Sequence, residues 1–176
     1  KYEQQIQVLQ SQLPSLQKGL EQSMPLVRVL PGILGYPTQR SYLFLLQNNT
    51  ELRPTGGFIG TYGTVNFSNG EITTFTTHNV YELDTPAEKF ITTVPPDPLK
   101  KYLKAEKWFF RDSNWSPDFP TSAKQALQFY DAESNGSHNY DGVIAITPTF
   151  IASLMRVTGN ITVGTTLYTP ENLVDT

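Results

Sequence analysis

Apolar residues recur near the start of the chain at Ile6, Leu9, Leu13, Leu16 and Leu20, three and four positions apart. That spacing puts one apolar stripe along a Gln-rich helix over residues 1–23. Pro14 falls in its middle, removes a backbone donor there, and predicts a kink or a split. The stripe has two readings: a coiled-coil stalk or dimer contact, or a helix packed on its own domain. A second short helix is expected from Pro25 to Leu34, with Pro31-Gly32 and Gly35 as breakers.

The pattern then changes period. Ser41–Gln47 contains the unbroken apolar run Tyr42-Leu43-Phe44-Leu45-Leu46 and predicts a buried strand. Phe58–Phe67 predicts another, and Ser68-Asn69-Gly70 turns it into a third over Glu71–Thr77, because Asn-Gly accepts the positive φ of a tight hairpin. From His78 to Pro98 the pattern dissolves, ending in the stiff extended Pro95-Pro96-Asp97-Pro98. Leu99–Lys104 reads as one or two helical turns, and Trp108–Pro120 as an aromatic-rich segment without helical period. Thr121 or Ser122 is the expected cap of a helix to about Ala132, with Ala123, Ala126, Leu127, Phe129 and Tyr130 on its apolar face.

Asp141-Gly142 leads into Val143–Ile146, a short run of central-strand type. Thr147-Pro148 opens a helix carrying Phe150, Ile151, Leu154 and Met155 that ends near Gly159. Asn160–Val163 is the last expected strand, and Leu173–Thr176 sits in what reads as the start of another helix. This order predicts an α/β fold: a mixed central β-sheet with helices on both faces, preceded by an N-terminal helical segment. The boundaries are 1–37 for that segment and 38–176 for the α/β domain, which reads as incomplete at its C-terminus. A chain that opens and closes inside helices reads as a piece of a longer protein.

Composition narrows the chemistry. A length of 176 residues suits one domain with a helical appendage, and a hydrophobic fraction of 38% suits a folded rather than a disordered chain. The net charge of −3 without a basic run argues against nucleic acid as the main partner. Cysteine is absent, which removes thiolate metal sites, cysteine nucleophiles and disulfides. Neither His78 nor His138 lies in a serine-elbow or metal-ligand spacing, and no phosphate-cradling glycine loop precedes a helix. Nucleotide hydrolysis, zinc proteolysis and dinucleotide redox chemistry are thus poor fits.

The densest polar segment is Gln47-Asn48-Asn49-Thr50-Glu51-Leu52-Arg53-Pro54-Thr55-Gly56-Gly57, at the end of the first strand, where α/β folds commonly bind ligands. This string, continued by Phe58-Ile59-Gly60-Thr61-Tyr62-Gly63, then Arg111–Tyr130, then Tyr140–Val163, resembles the bacterial domain-of-unknown-function 4012 family over about residues 30–176. The resemblance implies an extracytoplasmic domain of a single-pass membrane protein of the cell envelope. On that reading the membrane segment would precede Lys1 and further domain sequence would follow Thr176.

A more distant similarity reaches the LytR–CpsA–Psr family of cell-wall glycopolymer ligases, through Tyr140-Asp141-Gly142-Val143 and Gly159-Asn160-Ile161-Thr162-Val163. It implies a three-layer sandwich and a polyprenyl-pyrophosphate-linked glycan as ligand, held by arginines with aspartates on magnesium. The sequence departs from those enzymes after its second strand, where Thr64-Val65-Asn66-Phe67 runs straight into the hairpin turn.

On these resemblances Arg53 and Arg111 would be the phosphate ligands, since a guanidinium fork matches two phosphate oxygens. Asn48 and Asn49 would orient a sugar or phosphate, Gly56 and Gly57 would let backbone amides approach it, and Asp112 and Asp118 would hold Mg2+. The competing reading is structural: Arg53 pairs with Asp112 or Asp118 to tie two loops together, the asparagines cap turns, and the glycines satisfy positive φ. Trp108, Phe109, Phe110, Trp115 and Phe119 either stack on sugar rings or pin the loop by burial. The function expected is binding, with or without transfer, of a phosphate- or pyrophosphate-linked envelope glycan. The alternative is a non-catalytic surface scaffold or adhesion module with helix-mediated protein contacts. An open cleft holding both arginines would favour binding; full burial and pairing would favour the scaffold.

Overall fold

A computed structural model of the chain describes residues 2–174; the side chains of residues 2–12, 15 and 16 lie outside that description, so the stripe residues Ile6, Leu9 and Leu16 have no side-chain account. The chain falls into two compact units, residues 1–40 with 66–73 and residues 41–65 with 74–176. The hairpin tip thus groups with the N-terminal helix, a division that the sequence boundary at 37 and 38 does not contain.

In the first unit a single helix, α1, spans Tyr2–Ile33 and contains Pro14, Pro25 and Pro31. The expected division into two helices is therefore corrected. Each proline forfeits one backbone bond at a cost of about 3 kcal/mol, but Gln, Leu, Glu and Lys around them are strong helix formers. The terminator is Gly35, at φ 79°, while the Tyr36 amide reaches back to the Pro31 carbonyl at 2.9 Å. Gly35 also fits where no side chain would, since a Cβ there would collide with the Phe67 carbonyl.

The second unit is built on a four-stranded mixed sheet. Its strands are β1 (Arg40–Asn48), β2 (Phe58–Ser68), β3 (Glu71–Asn79) and β4 (Gly142–Ile146), in the order β3-β2-β1-β4. The β2–β3 hairpin turns at Asn69 (φ 52°) and Gly70 (φ 86°), as its Asn-Gly signal predicts. β1 and β4 run parallel, with Leu43 opposite Val143 and Leu45 opposite Ala145. Asp141 sets that register: its carboxylate accepts from the Ser41 amide at 2.8 Å and its amide donates to the Ser41 carbonyl at 2.7 Å.

Helices α2 (Val80–Ala87), α3 (Asp97–Leu103), α4 (Phe119–Glu133) and α5 (Pro148–Thr158) complete the layering, with a 3-10 turn at Phe110–Asp112. Leu43, Leu45 and Ile59 from the sheet meet Val80 and Leu83 of α2, Phe110 of the turn, and Ala126 and Phe129 of α4 in one core. Each such buried apolar side chain contributes about 1.5–3 kcal/mol of transfer free energy. Phe110 packs edge-on to Tyr62 at 5.5 Å and Phe109 is buried too, so burial pins the start of the aromatic segment, while Trp115 is half-buried and Phe119 is exposed.

Three local expectations are corrected. α2 fills the stretch after His78 where no pattern was visible: Asn79 caps it by accepting from the Tyr81 amide, and buried Val80, Leu83, Asp84 and Ala87 outweigh Pro86 in its last turn. α4 is capped by Asp118 rather than Thr121 or Ser122. The segment Ile161–Val163 is β5 but leaves the main sheet; it pairs antiparallel with β6 (Thr166–Tyr168) across Gly164, at φ 61°. After β6 the chain turns through residue 174, and the last two residues lie outside the described part.

Gly63 marks a tight approach inside the hairpin, where a Cβ would collide with the Thr76 carbonyl oxygen; at Gly60 the nearest atom to such a Cβ is the Phe58 ring at 3.8 Å. Gly63→Ala is expected to lower the unfolding free energy by about 2 kcal/mol or more, and Gly60→Ala by about 0.5 kcal/mol or less, in paired urea titrations.

Candidate functional site

The loop after β1 is strapped down before any ligand is considered. Asn48 Oδ1 accepts from the Thr50 amide at 3.1 Å and the Thr50 hydroxyl at 2.8 Å, a side-chain turn that competes with continued strand. Asn49 Nδ2 donates to Thr149 Oγ1 at 2.7 Å in the first turn of α5. Gly56 and Gly57 sit at φ 129° and 148°, and the Gly57 carbonyl accepts from buried Asn114 Nδ2 at 2.7 Å. A side chain at Gly57 would strike the Asn48 carbonyl. Asn48, Asn49, Gly56 and Gly57 thus shape the loop.

Arg53 leaves this loop and reaches the 3-10 turn. Its Nε meets Asp112 Oδ1 at 3.1 Å, one Nη donates to the Leu52 carbonyl at 3.0 Å, and the guanidinium lies 5.3 Å from the Phe58 ring centroid. Arg111 stands on the other side of the same carboxylate, its Nε 3.6 Å from Asp112 Oδ2. One of its Nη atoms donates to Asp84 Oδ2 at 2.9 Å, and the guanidinium faces Phe109 at 4.9 Å and Tyr81 at 5.6 Å. Among the described residues the second Nη of each guanidinium has no protein acceptor.

The charge chain continues inward. Asp84 is fully buried, Glu133 is buried beside it, and Glu133 Oε1 accepts from the Phe110 amide at 2.6 Å, while Asp84 Oδ1 and Glu133 Oε2 have no partner among the hydrogen bonds of the described residues. Burial, then the Asp84 carboxyl, pushes the Glu133 carboxyl up to about 9, while burial raises Asp84 against the pull of Arg111. At neutral pH Glu133 therefore keeps its proton. Arg53 and Arg111 thus stand against the carboxyls of Asp112 and Asp84, which offsets part of the cost of burying those acids.

Arg53, Arg111 and Asp112 converge in an open cleft of about 570 Å³, with Phe58, Tyr81 and Phe109 also lining it. Lys104 and Lys107 line it too, offset by Glu51, Glu88 and Glu106, so selectivity must come from local geometry rather than from the overall field. Both oxygens of Asp112 face guanidinium groups, surroundings that suit an anion and do not suit a divalent cation. Asp118 does not line this cleft; Thr121 bonds hold its carboxyl below the usual range and spend it on capping α4. Among the described residues no three metal-ligating side chains gather.

The residues not foreseen in the sequence are Asp84 and Glu133. Both had a signal. Asp84 shares the buried stripe of Val80, Leu83 and Ala87, and Glu133 follows Ala126 and Phe129 at helical spacing. An acid on an apolar stripe is costly unless it is paired.

A family described as a protein of unknown function, DUF4012, matches residues 38–176. The chain belongs to that family. The match spans the whole of the second unit, and it covers the cleft, the loop and the charge chain of this DUF4012 domain. No curated protein and no solved structure matches the chain. No described helix is long and apolar enough to cross a membrane.

Because the folded-state value for Glu133 lies above its ordinary 4.5, the native protein holds a proton that the unfolded chain releases, and stability falls as pH rises from about 4.5 to 9. Glu133→Gln is expected to keep the fold and flatten that slope, by at most about 1.4 kcal/mol per pH unit, in urea titrations across the window.

Proposed function

We propose that this DUF4012 domain is an extracytoplasmic, membrane-anchored module of the bacterial cell envelope. Its ligand is a phosphate- or pyrophosphate-linked envelope glycan, including the polyprenyl-linked forms. The observation that carries the reading is the pair of guanidiniums fixed around Asp112 at an open cleft, each with one terminal nitrogen unclaimed by protein. Two such donors, held by ion pairs and aromatic faces, present a rigid two-point receptor for phosphate oxygens. Tyr81, half exposed at the same cleft, adds aromatic surface suited to a sugar face.

We propose binding and no transfer step. The one acid between the guanidiniums is their counter-charge, and a metal there would compete with both. The location in the envelope rests on the family resemblance. The distant likeness to the glycopolymer ligases adds the choice of a pyrophosphate-linked glycan over other anions.

Calorimetric titration of the domain with farnesyl pyrophosphate, inorganic pyrophosphate, a sugar 1-phosphate and farnesol tests this. Saturable binding is expected for the phosphate-bearing probes, in EDTA as well as in magnesium, with farnesol silent. Arg53→Lys and Arg111→Lys keep the charges but remove the forks, and each should weaken binding by about tenfold. Absence of saturation up to about 1 mM, with circular dichroism unchanged, would overturn the reading in favour of a scaffold held together by its ion pairs.

A further inference from the structure

The continuity of α1 changes the meaning of its apolar stripe. Had Pro14 split the helix, Ile6 to Leu20 would span only two heptads. As one helix, the same register runs on. Ile6, Leu13, Leu20 and Val27 take position a of a heptad, and Leu9, Leu16, Ser23 and Leu30 take position d. Four heptads reach the length at which such a repeat specifies a coiled coil, and the helix is about 48 Å long.

The off-seam positions fit the same assignment. Pro14, Pro25 and Pro31 fall at b, f and e, so none interrupts the seam. The charged residues within the repeat, Lys18, Glu21 and Arg28, fall at f, b and b, on the outer face. Positions e and g carry Gln10, Gln12, Gln17, Met24, Leu26 and their neighbours, with no charge to repel an identical helix. Of the described seam side chains, Leu13 is 54% exposed, Leu20 66% and Val27 54%, and Ser23 is exposed too, while Leu30 at the end of the repeat is half-buried beside Leu34 and Tyr36.

The occupant follows from the period. A seam repeating every 3.5 residues is complementary to a helix with that same repeat, and α1 itself is one. A membrane surface is the weaker fit. Its helices carry a basic polar face, whereas this one is Gln-rich, with Lys18 and Arg28 as its basic residues beyond the first. We infer that α1 forms a coiled coil with the α1 of a second copy of this chain, along the seam Leu13, Leu20, Ser23 and Val27. Ser23 at one d position favours the register that sets it opposite its own counterpart.

The whole 176-residue chain is the sample, and its 19.8 kDa mass the reference. Light scattering behind size exclusion should give at least twice that mass at about 100 μM loading, falling toward one chain on dilution. Leu20→Asp with Val27→Asp should give one chain throughout and leave binding at the cleft unchanged. Since the chain has no cysteine, Ser23→Cys places its only thiol on the seam. Mild oxidation should join two chains through it, and Lys18→Cys, on the outer face, should not join them. Cross-linking by Lys18→Cys and not by Ser23→Cys would overturn the seam. A single-chain mass at every concentration, or a multimer indifferent to the double aspartate variant, would overturn the inference. These outcomes are independent of whether the cleft binds phosphate.

Discussion

The second unit is organised around a constraint of electrostatics: charges taken out of water must find opposite charges. Arg53, Asp112, Arg111, Asp84 and Glu133 meet that constraint as one line running from an open cleft to the buried face of α4. They come from four places in the chain, the loop after β1, the 3-10 turn, α2 and α4, so satisfying the charges also fixes where those segments lie. Removing one partner from such a line leaves a buried charge uncompensated, at a cost of about 3–5 kcal/mol. The guanidiniums at the cleft are therefore immobilised by the same contacts that hold the fold. A receptor built this way loses little conformational entropy when a ligand arrives.

This arrangement joins the two readings that the sequence left open. Arg53 does pair with Asp112, as a structural tie would have it, and its ring neighbour Phe58 is part of the same cleft. Yet neither arginine is spent entirely on the protein. A planar fork with several donors can be anchored on one edge and open on another, which a lysine ammonium cannot do as well. The role of Asp112 is correspondingly that of a spacer between two cations, which would otherwise repel each other across the gap.

The sequence made some of this legible and concealed the rest for identifiable reasons. The β1 run, the Asn69-Gly70 turn and the Thr147-Pro148 helix start were visible because each is decided within a few residues. The pairing of Arg53 with Asp112 was visible as one of several options, because two loops rich in opposite charge invite it. α2 was invisible because Pro86 and a polar surface hide a stripe that only burial reveals. α1 reads as two helices because each proline is a local breaker, while the helix is sustained by its whole length. Asp84 and Glu133 are concealed because an acid reads as surface, and only their places on the buried stripes of α2 and α4 mark them otherwise. The departure of β5 from the main sheet is a question of partners, which a period of two cannot answer.

β3 carries a consequence of its own. It lies at the sheet edge and all nine of its residues are exposed, so its backbone bonds have a single neighbouring strand and little apolar cover. Its last residue, Asn79, is also the cap of α2, immediately before fully buried Val80. Amide exchange should therefore slow from β3 into the second turn of α2, since the first-turn amides have no intrahelical acceptor and that of Tyr81 depends on the Asn79 cap. The strand can open by local fraying, while the helix beyond it stays closed until the whole core gives way. Asn79 therefore joins an exposed edge strand to the cap of the helix that carries Tyr81 and Asp84 to the cleft.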